Sequence, residues 1–153
     1  MTRTDFNFLA GKWVTRQRRL VEILAECDQW YEFDATLECQ VLLDGYATFD
    51  VLRAPERGME GITLRLYSPA DDLWRIWWAT RDSGGQLDVP VVGRFEAGVG
   101  TFECDDTWNG TPIRVRYQWL DVDTPTPQWQ QSFSADEGQT WELNWTAIFT
   151  RAT

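Results

Sequence analysis

The chain has 153 residues, enough for one domain, residues 1–153, that can bury a core without disulfides or metals. Its net charge of −10 argues against nucleic-acid binding and against an anionic membrane surface, because both require basic residues. Histidine is absent, which excludes Ser-His-Asp and Cys-His catalysis and removes the usual ligands of zinc and haem.

The three cysteines, Cys27, Cys39 and Cys104, form no CxxC spacing and are odd in number. We therefore expect neither a disulfide framework nor a zinc site, and the sequence predicts no metal and no cofactor. The N-terminus lacks the apolar stretch of a secretory signal, and no apolar run is long enough to span a bilayer. These features predict a cytoplasmic protein in a reducing environment.

Short runs of β-forming residues alternate with turn residues along the whole chain, which is typical of an all-β domain. Turns are indicated at Asp44-Gly45, Glu96-Ala97-Gly98 and Asn109-Gly110, and residues 21–27 can form either a short helix or an extension of the first strand. The predicted strands are residues 13–20, 30–42, 46–52, 61–67, 74–80, 91–96, 100–105, 114–122, 128–134 and 141–150.

Two of these segments alternate between apolar and polar residues, as expected for a sheet with one buried face. In residues 61–67, Ile62, Leu64 and Leu66 alternate with Thr63, Arg65 and Tyr67. In the last strand, one face is predicted to carry Trp141, Leu143, Trp145, Ala147 and Phe149. Short links between many strands favour an antiparallel up-and-down β-barrel of about eight to ten strands, with a β-sandwich as the alternative.

The first strand begins with Gly11-Lys12-Trp13, which resembles the Gly-x-Trp of the calycin superfamily, the lipocalin-like barrels. The chain also resembles a family of uncharacterised bacterial lipocalin-like domains at residues 8–13, 61–67, 90–95 and 134–145. This resemblance implies a barrel with a central cavity and no agreed activity. It further implies that Arg151 packs over Trp13 at the closed end. Haem-binding relatives use a histidine that this chain lacks, so no haem is expected.

Residues 134–141 match the Asp-box pattern S-x-D-x-G-x-T-W. We interpret this motif as a hairpin turn, in which Asp136 accepts hydrogen bonds from turn amides and Trp141 packs beneath the turn. Sialidases carry several such boxes on a propeller, for which this chain is too short. Asp105 and Asp106 are likewise interpreted as turn residues and not as a metal or acid–base pair.

Tryptophan is unusually frequent, with ten residues, and the sequence leaves open an aromatic-lined cavity or a solid aromatic core. Trp77 and Trp78 are adjacent in a strand, so one of them must leave the core for a cavity, a subunit interface or a capping loop. Strand arginines are expected to face solvent, with Arg65 as the most interesting candidate because Thr63 and Tyr67 share its face.

These features predict binding of a small, largely apolar or aromatic molecule with one polar or anionic end. The alternatives are a small enzyme of the lyase, isomerase or cyclase type and a structural or partner-binding module with a filled core. No catalytic residue is identified, and a homodimer remains open. The candidate ligand-binding residues are Tyr46, Arg65, Tyr67, Trp77, Tyr117, Trp119, Trp129 and Trp145.

Overall fold

A computed structural model describes residues 4–153, in which antiparallel strands close into an up-and-down barrel. Each strand pairs with its neighbours in sequence, and the first strand pairs with the last. The predicted all-β barrel is confirmed, and the sandwich alternative is wrong because no sheet edge stays open. The strands are β1 (Gly11–Leu20), β2 (Trp30–Leu42), β3 (Ala47–Ala54), β4 (Met59–Ser68), β5 (Leu73–Thr80), β6 (Val91–Glu96), β7 (Val99–Trp108), β8 (Thr111–Leu120), β9 (Gln128–Ser134) and β10 (Glu142–Arg151).

Besides the strands, the described part of the chain forms only single 3-10 turns, one before β1 and three in the links between strands. These turns are Asn7–Leu9, Leu43–Gly45, Pro55–Arg57 and Arg81–Ser83. Residues 21–26 adopt bends and Cys27 has no regular structure, so neither the predicted short helix nor the strand extension forms there.

One end of the barrel is closed by the segment that precedes β1. Phe6 and Leu9 are fully buried. The Phe6 ring lies 4.9 Å from the Trp74 ring, 5.1 Å from Phe95 and 5.7 Å from Phe102, measured between centroids. Edge-to-face aromatic contacts of this kind stabilise a core beyond the area that they bury. The N-terminal segment therefore forms the floor of the barrel.

The predicted contact between Trp13 and Arg151 is confirmed at this closed end. The guanidinium of Arg151 lies 3.9 Å from the centre of the Trp13 ring, and its Nη2 donates to the Phe8 carbonyl at 3.0 Å. A side chain at Gly11 would meet Arg151 Nη1 at 2.9 Å, and Gly11 has a φ of +106°. The positive φ favours glycine at this position, and a side chain would also displace the Arg151 guanidinium, which explains the first residue of the Gly-x-Trp motif.

Replacing Arg151 with alanine should lower the free energy of unfolding by about 1–2 kcal/mol, because the cation–π contact and the hydrogen bonds to the N-terminal segment are lost together. Urea unfolding measures the change. Arg151→Lys keeps the charge over Trp13 but loses the planar donor pair, so an intermediate stability is expected. An unchanged unfolding midpoint for Arg151→Ala would show that the contact does not hold the floor.

The alternation in β4 is confirmed, but its apolar residues are on the outside. Thr63 and Arg65 are buried in the interior, whereas Ile62 and Leu66 are each 36% exposed on the outer surface. The strand is inverted because its inner face builds a polar site with β3, described below. The general expectation that strand arginines face solvent is therefore wrong for Arg65.

A bulge in β10 changes the faces that the alternation predicted for the last strand. The register against β9 shifts between Leu143 and Trp145, so that Asn144 is fully buried and Leu143 is 38% exposed. Trp145, Ala147 and Phe149 face inward as predicted. Trp141 precedes the strand, and the Arg116 guanidinium lies 4.0 Å from its ring centre. Leu143 and Trp141 were thus wrongly placed on the inner face, because a bulge inserts one extra residue.

The Asp-box forms the turn between β9 and β10. Asp136 Oδ1 accepts from the Thr140 amide at 2.8 Å, and Oδ2 accepts from the Thr140 hydroxyl at 2.6 Å. The Ser134 hydroxyl donates to Asp136 and accepts from the Gly138 amide, both at 2.8 Å. The side chains of Ser134, Asp136, Thr140 and Trp141 are all hydrogen-bonded within the turn, which supports its interpretation as a structural hairpin.

Hydrogen bonds from Thr140 and Ser134 lower the pKa of Asp136 from 3.8 to about 2. Because the carboxylate is the stabilised form, its contribution to stability should be present above pH 4 and disappear as the pH falls through 2. Asp136→Ala should therefore unfold at a higher pH than the native chain when acid unfolding is followed by circular dichroism. Equal acid transitions for the two proteins would contradict a role for the carboxylate.

Candidate functional site

The barrel encloses a cavity of about 550 Å³ that extends from its interior to residues 86–89 and to the end of β7. This space contradicts the alternative of a filled core. Pockets of this volume accommodate small organic molecules. Aromatic side chains form much of the wall, namely Trp78, Trp108, Trp119, Trp129, Phe133 and Trp145.

The structure brings together most, but not all, of the residues that the sequence predicts for the lumen. Those on the cavity wall are Arg65, Tyr117, Trp119, Trp129 and Trp145. The inward position on β5 belongs to Trp78, so its neighbour Trp77 lies on the outer face.

Tyr46 and Tyr67 lie at the closed end of the barrel and not on the cavity wall. Their rings are 6.1 Å apart, and the Tyr67 hydroxyl donates to Asp72 at 2.7 Å. Tyr67 lies on the inward face of β4, as predicted. It is near the end of the strand, however, at the closed end of the barrel and beyond the cavity. Alternation predicts which face a residue occupies and not its height along the barrel axis.

A buried ion pair stands on the cavity wall between β3 and β4. Arg65 Nη1 donates to Asp50 Oδ2 at 2.6 Å and to the Thr48 hydroxyl at 3.2 Å, and both charged side chains are at most 5% exposed. Burial raises the pKa of Asp50, and the attraction of Arg65 opposes this shift. Sequence reasoning missed Asp50, although Thr48, Asp50 and Leu52 alternate in β3 and predict a shared inner face.

The positive charge of Arg65 is largely balanced by groups of the protein, so it attracts an anionic ligand only weakly. Besides Asp50, its guanidinium lies 5.1 Å from the Phe6 ring centre and 5.8 Å from that of Trp119. Aromatic faces carry partial negative charge and stabilise a cation. The wall is therefore nearly neutral at this point, in contrast to the anionic ligand end that an isolated Arg65 would favour.

Hydrogen bonds between β1 and β10 hold the Trp145 indole in place. Its Nε1 donates to Gln17 Oε1 at 2.7 Å, and Gln17 Nε2 donates to the Thr15 hydroxyl at 2.8 Å. The Arg19 guanidinium covers the ring at 4.6 Å from its centre. The hydrogen bond to Gln17 fixes the edge of the Trp145 ring and Arg19 covers one of its faces, so this part of the cavity wall is rigid.

Ionisable groups cluster where the cavity approaches residues 86–89. Asp88, Cys104, Asp106 and Tyr117 all line it there. Burial raises the pKa of Asp88, with a further contribution from Asp106, and burial raises the pKa of Cys104 to about 12. The pKa of Tyr117 is also raised by burial, so its hydroxyl stays protonated. The interpretation of Asp106 as a turn residue was incomplete, because this side chain reaches the cavity.

Three further observations bear on cofactors and location. Among residues 4–153, no group of three or more Cys, Asp or Glu side chains is arranged to hold a metal ion. Cys27, Cys39 and Cys104 are free thiols. None of the helical turns described above is long and apolar enough to cross a membrane.

No known protein family and no curated protein matches the sequence. The closed antiparallel barrel agrees with a calycin-like fold, whereas membership of the lipocalin-like family stays a prediction. The assignment of function consequently depends on the cavity itself.

Proposed function

We propose that this protein is a lipocalin-like binding protein of the cytoplasm that holds a small, largely apolar or aromatic molecule in its barrel. The observation that carries the proposal is the cavity of about 550 Å³ with its wall of indole rings. Rigid aromatic walls provide apolar contact at a low cost in side-chain entropy. The free thiols fit a reducing compartment.

The charges along the wall favour an uncharged ligand. Asp50 neutralises Arg65, while Asp88 and Asp106 outnumber Arg19, the remaining cation on the wall, and repel anions from their end of the cavity. The Tyr117 hydroxyl has no hydrogen-bond partner among the residues described, and its ring packs edge-on against Trp129 at 5.2 Å. We infer that the ligand is flat and neutral and carries an acceptor that Tyr117 can reach.

Two fluorescent probes of similar shape test this proposal. N-phenylnaphthylamine is neutral, and anilinonaphthalene sulfonate carries one negative charge on a comparable ring system. We expect the neutral probe to bind saturably with quenching of tryptophan emission, and the anionic probe to bind at least about tenfold more weakly. Tighter binding of the anionic probe would contradict a neutral site.

A pair of tryptophan variants provides the matched control. Trp129→Phe changes the cavity wall and should reduce the quenching by the neutral probe, whereas Trp77→Phe changes the outer face and should leave the quenching intact. If both variants behave alike, or if neither probe binds, the cavity is not the binding site.

A small enzyme of the lyase, isomerase or cyclase type is the second candidate. It is favoured by Asp88, an exposed carboxyl at the edge of the cavity whose pKa is raised, and by the protonated hydroxyl of Tyr117, which lines the same cavity. Such a pair can accept a proton at one atom and donate one at another. If a host metabolite that binds is recovered chemically changed, and Asp88→Asn returns it unchanged, the enzyme is supported. Recovery of the unchanged molecule from the native protein would favour binding alone.

A further inference from the structure

The wall of the barrel is incomplete between β5 and β7, at the end away from the closed end. β5 pairs with β6 only over Trp74–Ile76, although β5 continues to Thr80. β6 pairs with β7 only up to Glu103, although β7 continues to Trp108. By contrast, β4 pairs with β5 along the whole length of β5. The second halves of β5 and β7 are therefore separated by a gap that no strand of the described chain fills.

Residues 84–90, which precede β6, cover this gap, and we call them the strap. The Asp88 amide donates to the Trp78 carbonyl on β5 at 2.8 Å, and Cys104 Sγ on β7 lies 3.9 Å from the Val89 carbonyl oxygen. Residues 84–89 are exposed to solvent, yet residues 86–89 also line the cavity. The strap is therefore a single layer of chain between the cavity and the solvent.

The strap is held more loosely than the link between β1 and β2, which lies at the same end of the barrel. In that link, Ile23 and Leu24 pack against the core, and the Leu24 amide donates to Glu142 Oε1 at 2.8 Å. In the strap, Leu87 and Val89 are 45% and 51% exposed. Segments with few buried apolar contacts open at a lower cost in free energy than well-packed ones, so the strap opens more readily than the β1–β2 link.

Two adjacent glycines give the strap a hinge. Gly84 and Gly85 have φ values of +71° and +77°, and a Cβ at either position would meet no heavy atom within 4 Å. Glycine populates positive and negative φ about equally, so these residues can change conformation at little steric cost. The turn before them is fixed, because the Ser83 hydroxyl accepts from the Thr80 amide at 2.9 Å. Rotation at the two glycines therefore moves the strap and leaves β5 in place.

We propose that the strap is a lid that opens about Gly84 and Gly85, and that the ligand enters and leaves the barrel between β5 and β7. This inference depends on the proposed binding function. The gap leads directly to the aromatic wall, because Trp78 on β5 and Trp108 on β7 both line the cavity. A lid that must open for both steps slows entry and release together and leaves the affinity to the cavity.

A disulfide across the gap tests the lid. In a Cys27→Ser background, Val89→Cys places a second thiol beside Cys104, and oxidation then ties the strap to β7. Stopped-flow quenching measures the binding of N-phenylnaphthylamine. Association should be at least about tenfold slower for the oxidised than for the reduced form of this variant, and dissociation should slow by the same factor. Val89→Cys combined with Cys104→Ser is the control, because the oxidant cannot form the bond and should leave its rates unchanged.

Hydrogen exchange measures the opening in the native protein. The Asp88 amide is bonded to the Trp78 carbonyl, whereas Leu64 lies in a strand that is paired on both sides, with Phe49 and with Trp77. If the strap opens while the barrel stays folded, the Asp88 amide should exchange at least about a hundredfold faster than the Leu64 amide. Saturation with N-phenylnaphthylamine should slow exchange at Asp88, because an occupied cavity favours the closed strap.

The results for the lid and for the proposed function can be told apart. Equal rates in the oxidised and reduced forms would overturn the lid, while the binding itself would still support the proposed function. Failure of the disulfide to form, or equal protection of the Asp88 and Leu64 amides, would also overturn the lid. If the reduced variant and the native protein both fail to bind the probe, the proposed function fails and the route of entry fails with it.

Discussion

Replacing Arg65 with methionine should lower the free energy of unfolding by about 3–5 kcal/mol at neutral pH. The change leaves Asp50, which is 0% exposed, without the guanidinium that now lies 2.6 Å away. An isolated buried carboxylate is costly because the interior cannot replace its hydration. Equilibrium unfolding in urea measures the loss.

The pH dependence of this variant should identify the carboxylate as the cause. Burial already raises the pKa of Asp50 from 3.8, and removing Arg65 raises it further. The protonated carboxyl is then the form that the fold tolerates. The stability deficit of Arg65→Met should therefore be smallest below pH 4 and should grow as the pH rises through the folded-state pKa.

A double variant separates the ion pair from simple packing at the same place. Arg65→Met with Asp50→Leu removes both charges, and its stability should recover to within about 1 kcal/mol of the native protein. If the double variant instead loses the sum of the stabilities lost by the two single variants, packing determines the loss and the unpaired charge does not.

Replacing Gly93 with alanine should be among the most damaging single-methyl changes in the chain. A Cβ at this position would lie 1.8 Å from the backbone oxygen of Thr101 on the neighbouring strand. Backbone cannot move aside as a side chain can, so β6 and β7 would have to separate. We expect a loss of about 4 kcal/mol or more, seen as a much lower urea midpoint or as an insoluble product.

Gly84→Ala is the matched control for this substitution. It adds the same methyl group in the link after β5, where no heavy atom lies within 4 Å, although the φ of +71° disfavours a side chain. The expected loss is about 1 kcal/mol. If Gly84→Ala and Gly93→Ala cost the same, the contact with Thr101 is not what makes Gly93 necessary.

The barrel could be predicted from the sequence because turn residues and alternation are local signals. The positions of the strands follow from them, whereas the Trp13–Arg151 contact was implied by the resemblance to calycin barrels. The bulge between Leu143 and Trp145 could not be predicted, because no residue type in this segment indicates that the strand contains an extra residue. Its effect was to reverse the face of Leu143 and bury Asn144.

The candidate site was predicted only in part, for a different physical reason. Alternation separates two faces of a strand but does not say which one is inside, and hydrophobicity pointed the wrong way in β4. Arg65 is inside because Asp50 of the neighbouring strand neutralises it, which is a contact between strands that a single segment does not reveal. Trp77 and Trp78 are equally apolar, so only the register of β5 decides between them.

The closed end of the barrel and the pairing of β1 with β10 both join residues from opposite ends of the chain. Neither can form until most of the chain has been synthesised. Phe6 and Leu9 leave the ribosome first, but their aromatic partners extend to Trp119, and β1 pairs with β10 only after Arg151 has emerged. Until then the nascent chain displays an unpaired strand edge and an undocked apolar segment, both prone to association. The barrel can therefore close only after β10 has emerged from the ribosome, and ribosomes stalled before β10 should carry chains that recruit chaperones.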